Sequence, residues 1–253
     1  MSVGAWVDGQ VGVVELQRPP HNFFDAPLIE AVADELERFD ADLTIGAVVL
    51  CAQGRSFCAG ADFADRSRSG LGGDTTSRLY AAAVRLVSVG VPVVAAVHGP
   101  AVGGGLGLAM TADLRVTCPD ARFSANFVKL GIHQGFGLSV TLPELLGPAK
   151  ASLVLLTGRR FSGTEAAALG LADACVDAPS VRPTAMELAA EIGSGAPLAL
   201  RAVKRTLRAG LADRVAAATA HEAAEQARLG ATADASEGMR AVAERRPGRF
   251  TGR

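Results

Sequence analysis

The sequence predicts an α/β fold followed by a helical C-terminal part, and three observations lead to this prediction. The chain has 253 residues, of which 49% are hydrophobic and 20% charged, so it has enough apolar side chains to bury a core. Up to about residue 140, short apolar runs alternate with amphipathic helical patterns, as they do in α/β proteins. Beyond that point the pattern is almost entirely helical.

Four apolar runs predict the strands of the α/β part. Residues 11–16 begin the series, and residues 46–51 are apolar on both faces, which is typical of a central strand. Residues 93–97 form another continuous apolar run, whereas residues 113–117 alternate between apolar and polar. We therefore expect a sheet whose central strands are covered on both sides.

Apolar residues at helical spacing predict the helices. The first helix includes residues 28–39, with Asp25 and Pro27 as its start signal, and a second covers residues 77–89. A short helix is expected over residues 104–112. Farther along, Ala-rich helical sequence continues to about residue 244, and two apolar stripes stand out there: Ala185, Leu188, Ala189 and Ile192, then Leu200, Val203, Leu207 and Leu211.

These patterns divide the chain into two parts with no polar linker between them. Residues 1–195 form the predicted α/β core, and residues 196–253 form the predicted helical C-terminal region. Within the first part, residues 66–76 are rich in Gly, Ser, Thr and Arg and predict a mobile surface loop.

The composition argues against nucleic acid as a partner. The 25 basic and 26 acidic residues give a formal net charge of −1, which offers no electrostatic attraction to a polyanion. One Trp and one Tyr leave little aromatic surface for stacking on bases. We therefore expect a small-molecule ligand instead.

The cysteines and the N-terminal segment bear on metals and compartment. Cys51, Cys58, Cys118 and Cys175 include no C-x-x-C pair, so we expect no zinc site and reduced thiols. Residues 1–17 have no basic region ahead of an apolar stretch, so they do not predict a signal peptide. The expected location is the cytoplasm.

Residues 86–112, between Arg85 and Asp113, contain no Asp, Glu, Lys or Arg, and this stretch is long enough to cross a membrane. Six glycines and two prolines interrupt it, however, and one continuous helix would not tolerate so many breaks. We interpret the stretch as a buried strand, a turn and a buried helix, and we expect no membrane partner.

Two glycine-bearing turns mark the candidate site. Residues 54–63 follow the strand that ends at Cys51, and residues 98–107 follow the strand that ends at Val97. Both turns therefore lie at the carboxyl edge of the predicted sheet, where open α/β sheets bind their ligands.

The second turn matches neither of the common phosphate-binding motifs. No register of residues 103–107 supplies G-x-G-x-x-G, and no nearby Lys completes a P-loop. A triple glycine at a helix start leaves N–H groups that can hold an anion, or an oxygen that becomes anionic during a reaction. Tight packing of the helix on a strand would explain the same glycines.

Several motifs, taken in order, resemble the crotonase (enoyl-CoA hydratase/isomerase) superfamily. The resemblance extends from about residue 11 to residue 204. The motifs are F-C-A-G-A-D at 57–62, V-V-A-A-V-H-G at 93–99 with G-G-G at 103–105, L-G-I at 130–132 with G-F-G at 135–137, L-T-G-R-R-F at 156–161, and A-A-A-L-G-L-A-D at 166–173.

This resemblance implies a fold, a ligand and an assembly. The fold would be a crotonase-type ββα spiral core with a helical C-terminal trimerisation region, and the assembly a homotrimer or a dimer of trimers. The ligand would be an acyl-CoA, so coenzyme A enters as part of the substrate thioester and no cofactor is bound permanently. The backbone N–H groups of Ala61 and Gly104 would form an oxyanion hole, which polarises the thioester carbonyl and stabilises an enolate.

The sequence departs from the family at the acid–base positions. The resemblance places carboxylates of various relatives at three positions, which are Gly107, Phe127 and Gly135 in this chain. Hydration of an enoyl-CoA needs one group to activate water and another to deliver a proton to the α-carbon, and neither Gly nor Phe can do this. The sequence therefore does not predict ordinary enoyl-CoA hydration.

Two functions from different classes remain open at this point. The first is an enzyme, a lyase or isomerase of fatty acid metabolism by family, which forms an enolate with an unusual acid–base set. The second is a non-catalytic or weakly catalytic acyl-CoA-binding protein. A purely structural partner protein would be a third class, favoured only by the helical C-terminus.

Other side chains near the motifs are candidates for the site. His133 could replace a missing acid–base group, although a turn histidine bonded to backbone is the simpler interpretation. We interpret His98 as a core or rim histidine and Cys58 as a packed thiol. We interpret His21 as a surface histidine near the nucleotide end of the coenzyme. The expected substrate-binding residues are Ala59, Gly60, Asp62, Gly103, Phe127 and Gln134.

Overall fold

The computed structural model of the protein describes residues 2–62 and 73–253 and contains two β-sheets. The larger sheet has six strands in the order β1-β2-β3-β4-β6-β9, and the smaller has three in the order β5-β7-β8. The strands are β1 (Val3–Asp8), β2 (Val11–Leu16), β3 (Ala47–Ala52), β4 (Val93–Val97), β5 (Ala101–Val102), β6 (Leu114–Thr117), β7 (Arg122–Ser124), β8 (Phe161–Ser162) and β9 (Ala174–Cys175).

Helices connect and cover these strands. Among the described residues, every strand lies before residue 176, and the chain after it contains only helices, turns and loops. The helices are α1 (Ala26–Ala41), α2 (Gly73–Ser88), α3 (Gly104–Thr111), α4 (Leu138–Thr157), α5 (Gly163–Leu169), α6 (Val181–Gly193), α7 (Pro197–Leu207), α8 (Leu211–Gly230) and α9 (Ala233–Ala243), with 3₁₀ turns at Asn126–Leu130 and Ala178–Ser180.

The centre of the larger sheet follows from its sequence. Strands β2, β3 and β4 pair in parallel and are almost completely buried, because helices cover both faces of a parallel sheet. The start of α1 is also as predicted. The Asp25 carboxylate accepts a hydrogen bond from the Leu28 N–H at 3.0 Å, and Pro27 lies in the first turn.

Most of the predicted elements are confirmed, with ends displaced by up to a few residues. The strands missed by the sequence analysis are β1 and the short strands β5, β7, β8 and β9. Strand β1 is an edge strand with Gly4, Trp6 and Asp8 in its six residues, so it lacks an alternating pattern. The other four have only two or three residues, which is too short for any period to be recognised.

The loop predicted at residues 66–76 is only partly open to comparison. Residues 63–72 lie outside the described residues. Residues 73–76 form the first turn of α2, so the predicted loop is wrong at its C-terminal end. Helix α2 begins four residues earlier than its apolar stripe, because residues 73–76 are polar or glycine and give no such signal.

The stretch without charged residues folds as expected, into β4, β5 and the buried helix α3. Among the described residues, α4 is instead the one helix long and apolar enough to span a membrane by length and composition. Gly147 leaves the helical conformation with φ 74° and ψ 164°, between Pro143 and Pro148. Helix α4 is therefore two shorter helices rather than one continuous span.

The C-terminal helices pack on the α/β part instead of standing apart from it. Helix α8 lies against α2 and α4, and α9 lies against the 3₁₀ turn at Asn126–Leu130. Lys204 of α7 donates a hydrogen bond to the Val91 carbonyl at 2.7 Å, just before β4. These contacts join residues on the two sides of the predicted boundary between residues 195 and 196. The division of the chain into two parts at that boundary therefore stays a prediction.

Candidate active site

The two glycine-bearing turns meet at one wall of a cavity of about 390 Å³. Cys58 donates its N–H to the Pro100 carbonyl and accepts from the Val102 N–H, both at 3.0 Å. These two hydrogen bonds join the turn after β3 to the turn after β4. The cavity therefore lies at the carboxyl ends of the two central strands, as the sequence predicts.

Gly60 and Gly105 make this close pairing of backbones possible. Gly60 has φ +84°, and a Cβ on it would lie 2.7 Å from the Val102 carbonyl oxygen. A Cβ on Gly105 would lie 2.7 Å from the Cys58 carbonyl carbon and would run into its oxygen. Neither position has room for a side chain, so the two turns can be brought together only by glycine.

Both proposed oxyanion donors lie in the cavity wall. Ala61 follows Gly60 in the first turn, and Gly104 is the first residue of α3. Because Gly104 begins the helix, its N–H has no acceptor within α3 and lies at the positive end of the helix dipole. Ala59, Gly60 and Gly103, which are expected substrate-binding residues, also line the cavity.

The rest of the described lining includes an aromatic group. Phe24 and Phe136 pack edge to face, with ring centroids 4.9 Å apart, and Phe127 is only 8% exposed. All three line the cavity, together with Leu79 and Leu130. This part of the lining is apolar and suits an acyl chain.

Side chains already fill the space at the glycine positions where relatives would carry carboxylates. A Cβ on Gly107 would lie 2.9 Å from Phe136 Cδ1, and Gly107 does not itself line the cavity. A Cβ on Gly135 would lie 2.7 Å from Gln226 Nε2 and would run into the Tyr80 hydroxyl. An acidic side chain at residue 107 or 135 would therefore require its neighbours to move.

None of the described side chains that line the cavity is a carboxylate. The polar lining groups are of other kinds. His21 Nδ1 lies 3.2 Å from Ser56 Oγ, and Tyr80, Asn126 and Arg160 also reach the wall. His21 is thus half-buried at the cavity, and its interpretation as a surface histidine is wrong.

His133 and Gln134 do not contribute to the described cavity wall. His133 Nδ1 lies 2.8 Å from the Gln134 carbonyl oxygen, and its ring contacts that of His221 at 5.7 Å between centroids. The Gln134 side chain donates to Ser139 Oγ at 3.0 Å. A catalytic role for His133 and a substrate-binding role for Gln134 stay predictions that no contact with the cavity supports.

The remaining candidates of the sequence analysis are placed as follows. Asp62 is half-buried beside Ala61 but is not part of the described cavity wall. His98 Nε2 lies 3.1 Å from the Gly54 carbonyl oxygen. Cys58 is fully buried, and burial raises the pKa of its thiol to about 12, so it remains protonated.

Sequence reasoning missed Tyr80, Phe136, Arg160 and Gln226, which all line the cavity. Tyr80 is the chain's single tyrosine, and that rarity was the one available signal. Gln226 lies in an Ala-rich helix and gives no signal at all. In the part of the chain that the structure describes, no group of three or more His, Cys, Asp or Glu could hold a metal ion.

Comparison with known proteins agrees with this geometry. The family model described as enoyl-CoA hydratase/isomerase matches residues 7–253. The "Probable enoyl-CoA hydratase" of Rhodobacter capsulatus is 34% identical over 246 residues, which cover 96% of this chain and 95% of that protein. The "Probable enoyl-CoA hydratase echA8" of Mycobacterium leprae is 32% identical over 250 residues, with coverages of 98% and 97%.

Solved structures give the same result. The enoyl-CoA hydratase/isomerase of Pseudoalteromonas atlantica T6c superposes with a TM-score of 0.88 at 30% identity, over 99% of this chain and 100% of that one. An enoyl-CoA hydratase of Mycobacterium avium subsp. paratuberculosis K-10 gives 0.87 at 26% identity, over 99% of both. The fold is therefore of the crotonase type, as the sequence predicts. The chain belongs to the enoyl-CoA hydratase/isomerase family.

Proposed function

We propose that this protein binds an acyl-CoA thioester and holds its carbonyl oxygen between the N–H groups of Ala61 and Gly104. The observation that carries the proposal is the pairing of the two glycine turns at the cavity wall. Their hydrogen bonds fix both donors on neighbouring segments of backbone, and apolar side chains line the cavity beside them. Preorganised donors of this kind stabilise an oxygen that gains negative charge, as the thioester oxygen does in an enolate.

Ordinary hydration of enoyl-CoA is not the activity that this site favours. The relatives carry the name hydratase, but no carboxylate reaches the described wall of this cavity. A positioned general acid or base contributes about 10²–10⁴-fold to a rate. We therefore propose a weakly catalytic or non-catalytic acyl-CoA-binding protein, which hydrates crotonyl-CoA at least about 10²-fold more slowly than a relative with its carboxylates.

A second candidate is an enzyme that forms the enolate without those carboxylates. The half-buried His21–Ser56 pair favours it, since an imidazole that lines the cavity is a group of the kind that transfers protons in enzymes. The two candidates differ in one measurement, which is exchange of the α-protons of a saturated acyl-CoA with deuterated water. Exchange that His21→Gln abolishes supports the enzyme, and its absence supports the binding protein.

The proposed oxyanion hole is tested with a matched pair of ligands. Butyryl-CoA and its thioether analogue S-butyl-CoA have the same chain, but only the first has a carbonyl oxygen. We expect butyryl-CoA to bind roughly tenfold more tightly in calorimetry, since two hydrogen bonds contribute about 0.5–1.5 kcal/mol each. Equal dissociation constants for the two would contradict the assignment of Ala61 and Gly104.

We also propose that the protein assembles as a homotrimer or a dimer of trimers. Helix α7 leaves Val203 and Leu207 exposed one turn apart on the same face, and exposed apolar side chains of this kind are typical of a subunit interface. Light scattering at micromolar concentration should give the mass of three or six chains. The mass of one chain would contradict the proposal.

A further inference from the structure

Phe136 adopts a backbone conformation that a bulky residue seldom adopts. Its φ is +62°, in the left-handed region that normally favours glycine. Such a conformation persists only where its surroundings hold it, and it is found most often at functional sites. Phe136 also lines the cavity and covers Gly107 of α3. The contacts that hold Phe136 in this conformation therefore point to a functional role for this residue.

Two side chains from distant helices hold this segment. Tyr80 of α2 donates its hydroxyl proton to Gln226 Oε1 at 2.8 Å, and Gln226 Nε2 donates to the His133 carbonyl at 3.0 Å. The Tyr80 hydroxyl also lies against Gly135, where a Cβ would run into it. Tyr80 and Gln226 are thus bonded to each other, Gln226 is bonded to the His133 backbone, and Tyr80 packs against Gly135.

A third side chain fastens the far end of the same segment. The buried carboxylate of Glu222 accepts hydrogen bonds from the Gly137 N–H at 2.8 Å and the Ser139 N–H at 3.0 Å. Glu222 and Gln226 are four residues apart on α8, so they lie on the same face of that helix. One face of α8 and the Tyr80 hydroxyl together fix the backbone that carries Phe136.

Tyr80 positions this segment and does not act as an acid or base. Burial, and then the neighbouring Glu222, raises the pKa of the Tyr80 hydroxyl above its ordinary value, so the phenol keeps its proton at neutral pH. That one proton is donated to Gln226. The hydroxyl therefore has no proton left for a ligand, and its role is to fix the Phe136 backbone.

The side chain held in this way limits the cavity. The Phe136 ring lies between the cavity and Gly107, with the Phe24 ring 4.9 Å away from it by centroid. If the ring were removed, the space over Gly107 would join the cavity. The position of Phe136 thus determines how far an apolar chain can extend toward α3.

We propose that Phe136 is a specificity-determining residue that restricts the pocket to short acyl chains, and that Tyr80 and Gln226 are positioning residues that hold it there. The chain-length statement rests on the proposed function, because it assumes that the cavity takes the acyl group of a thioester. The clamp formed by Tyr80 and Gln226 does not depend on any ligand.

The test combines a ligand measurement with one that needs no ligand. Calorimetry gives the ratio of the dissociation constants of octanoyl-CoA and butyryl-CoA, and hydrogen exchange follows the amides of residues 131–139. Tyr80→Phe should raise the exchange rates of the amides around Gly135, that of Phe136 included, by roughly tenfold, since it removes the hydroxyl that holds Gln226 on the His133 carbonyl. Phe136→Ala should shift this ratio of dissociation constants roughly tenfold in favour of octanoyl-CoA. Space for one additional methylene in an apolar pocket already changes affinity by about tenfold or more.

Two further variants complete the design. Ser88→Ala is the matched control, because it removes an exposed hydroxyl hydrogen bond from the same helix α2, to the Val84 carbonyl at 2.6 Å. It should change neither measurement. Phe136→Leu makes a smaller cavity than Phe136→Ala and replaces it if the latter does not fold; it should shift the ratio in the same direction by about threefold.

Each outcome has one consequence. If the Phe136 amide exchanges equally in Tyr80→Phe and in the wild type, the clamp is refuted. If the folded Phe136 variants bind butyryl-CoA with an unchanged ratio, Phe136 does not determine chain length. If the wild type binds no thioester better than free coenzyme A, the proposed function and the chain-length statement fail together, while the exchange measurement still decides whether the clamp exists.

Discussion

The two walls of the cavity are built in different ways. The wall that contains Ala61 and Gly104 consists of backbone from two turns, joined by the hydrogen bonds of Cys58. The second wall, formed by the rest of the lining, consists of side chains, and α2 and α8 help to hold it through Tyr80 and Gln226. A site formed by backbone N–H groups tolerates many side-chain substitutions. Acid–base chemistry does not, because it needs particular side chains.

A substitution such as Phe at position 127 changes a side chain of the lining but leaves the hydrogen bonds between the two turns in place. Phe127 still lies near one of the turns, since a Cβ on Gly103 would be 3.8 Å from its Cζ. The following predictions test whether the two walls are as independent as this comparison suggests.

The largest effect is expected in the backbone wall. Gly105→Ala would place a Cβ 2.7 Å from the Cys58 carbonyl carbon and 2.8 Å from Cys58 Cβ, and neither atom belongs to a flexible group that could move aside. We expect the free energy of unfolding to fall by about 3 kcal/mol, measured by denaturant titration. Gly230→Ala is the control, since nothing lies within 4 Å of its Cβ. Equal stabilities of the two variants would show that the turns are not tightly packed.

The second prediction restores carboxylates to the other wall. Gly107→Glu with Phe127→Glu should destabilise the protein, because the new Cβ would lie 2.9 Å from Phe136 Cδ1. Addition of Phe136→Gly should remove that contact and the 3.0 Å contact with Phe136 Cβ, and raise crotonyl-CoA hydration by roughly 10²-fold over the wild type. Phe127→Glu with Phe136→Gly, which leaves Gly107 unchanged, is the control. Efficient hydration by the unmodified protein would refute our view of the missing acid–base groups.

The third prediction concerns the attachment of the C-terminal helices through Lys204. Burial lowers the pKa of Lys204 from its ordinary 10.5 to about 8, and the pairing with Asp113 at 2.8 Å opposes this only in part. Between these two pH values the unfolded chain binds more protons at this residue than the folded protein does. The unfolding free energy of the wild type, relative to Lys204→Met, should therefore rise from about pH 8 to 10.5.

That comparison isolates Lys204, because every other titrating group is common to both proteins. Below pH 8 the difference between them should be constant. Urea titrations at half-unit intervals of pH would measure it. A difference that falls as the pH rises toward 10.5 would mean that the folded state holds the charged ammonium more strongly than water does, contrary to the burial argument.

The smallest effect is expected from the cap that α8 provides to α4. Glu222→Gln keeps one oxygen for the Gly137 or Ser139 N–H but removes the negative charge at the helix N-terminus. We expect a loss of about 1 kcal/mol in thermal or denaturant unfolding. Glu225→Gln, whose carboxylate pairs with Arg228 on the surface, should change stability by much less. Equal losses would show that the Glu222 cap contributes nothing special.

Much of the fold could be predicted because its signals are local. The apolar runs of β2, β3 and β4 indicate that these strands are buried, and Asp25 indicates where α1 begins. Strand β1 and the short strands of the second sheet could not be predicted, because their hydrogen-bond partners, rather than their own residues, make them strands.

The candidate site divides in the same way. The glycines of the two turns could be recognised from the sequence, because a run of glycines is evident without knowing what lies next to it in the fold. The lack of space at Gly107 could not be recognised, since Phe136, which fills that space, comes from a different segment. Sequence analysis alone therefore gave no sign that a glutamate at residue 107 would lack room.

By itself, the sequence determined the family, the α/β order of elements and the two glycine-bearing turns, because each depends on residues that are close together along the chain. Only the tertiary structure decided which side chains line the cavity beside those turns. Tyr80 and Gln226 are 146 residues apart, and Glu222 is 85 residues from Gly137. Such pairs form only when the whole chain has packed, because each partner is satisfied by a group that its own neighbourhood in the sequence does not contain.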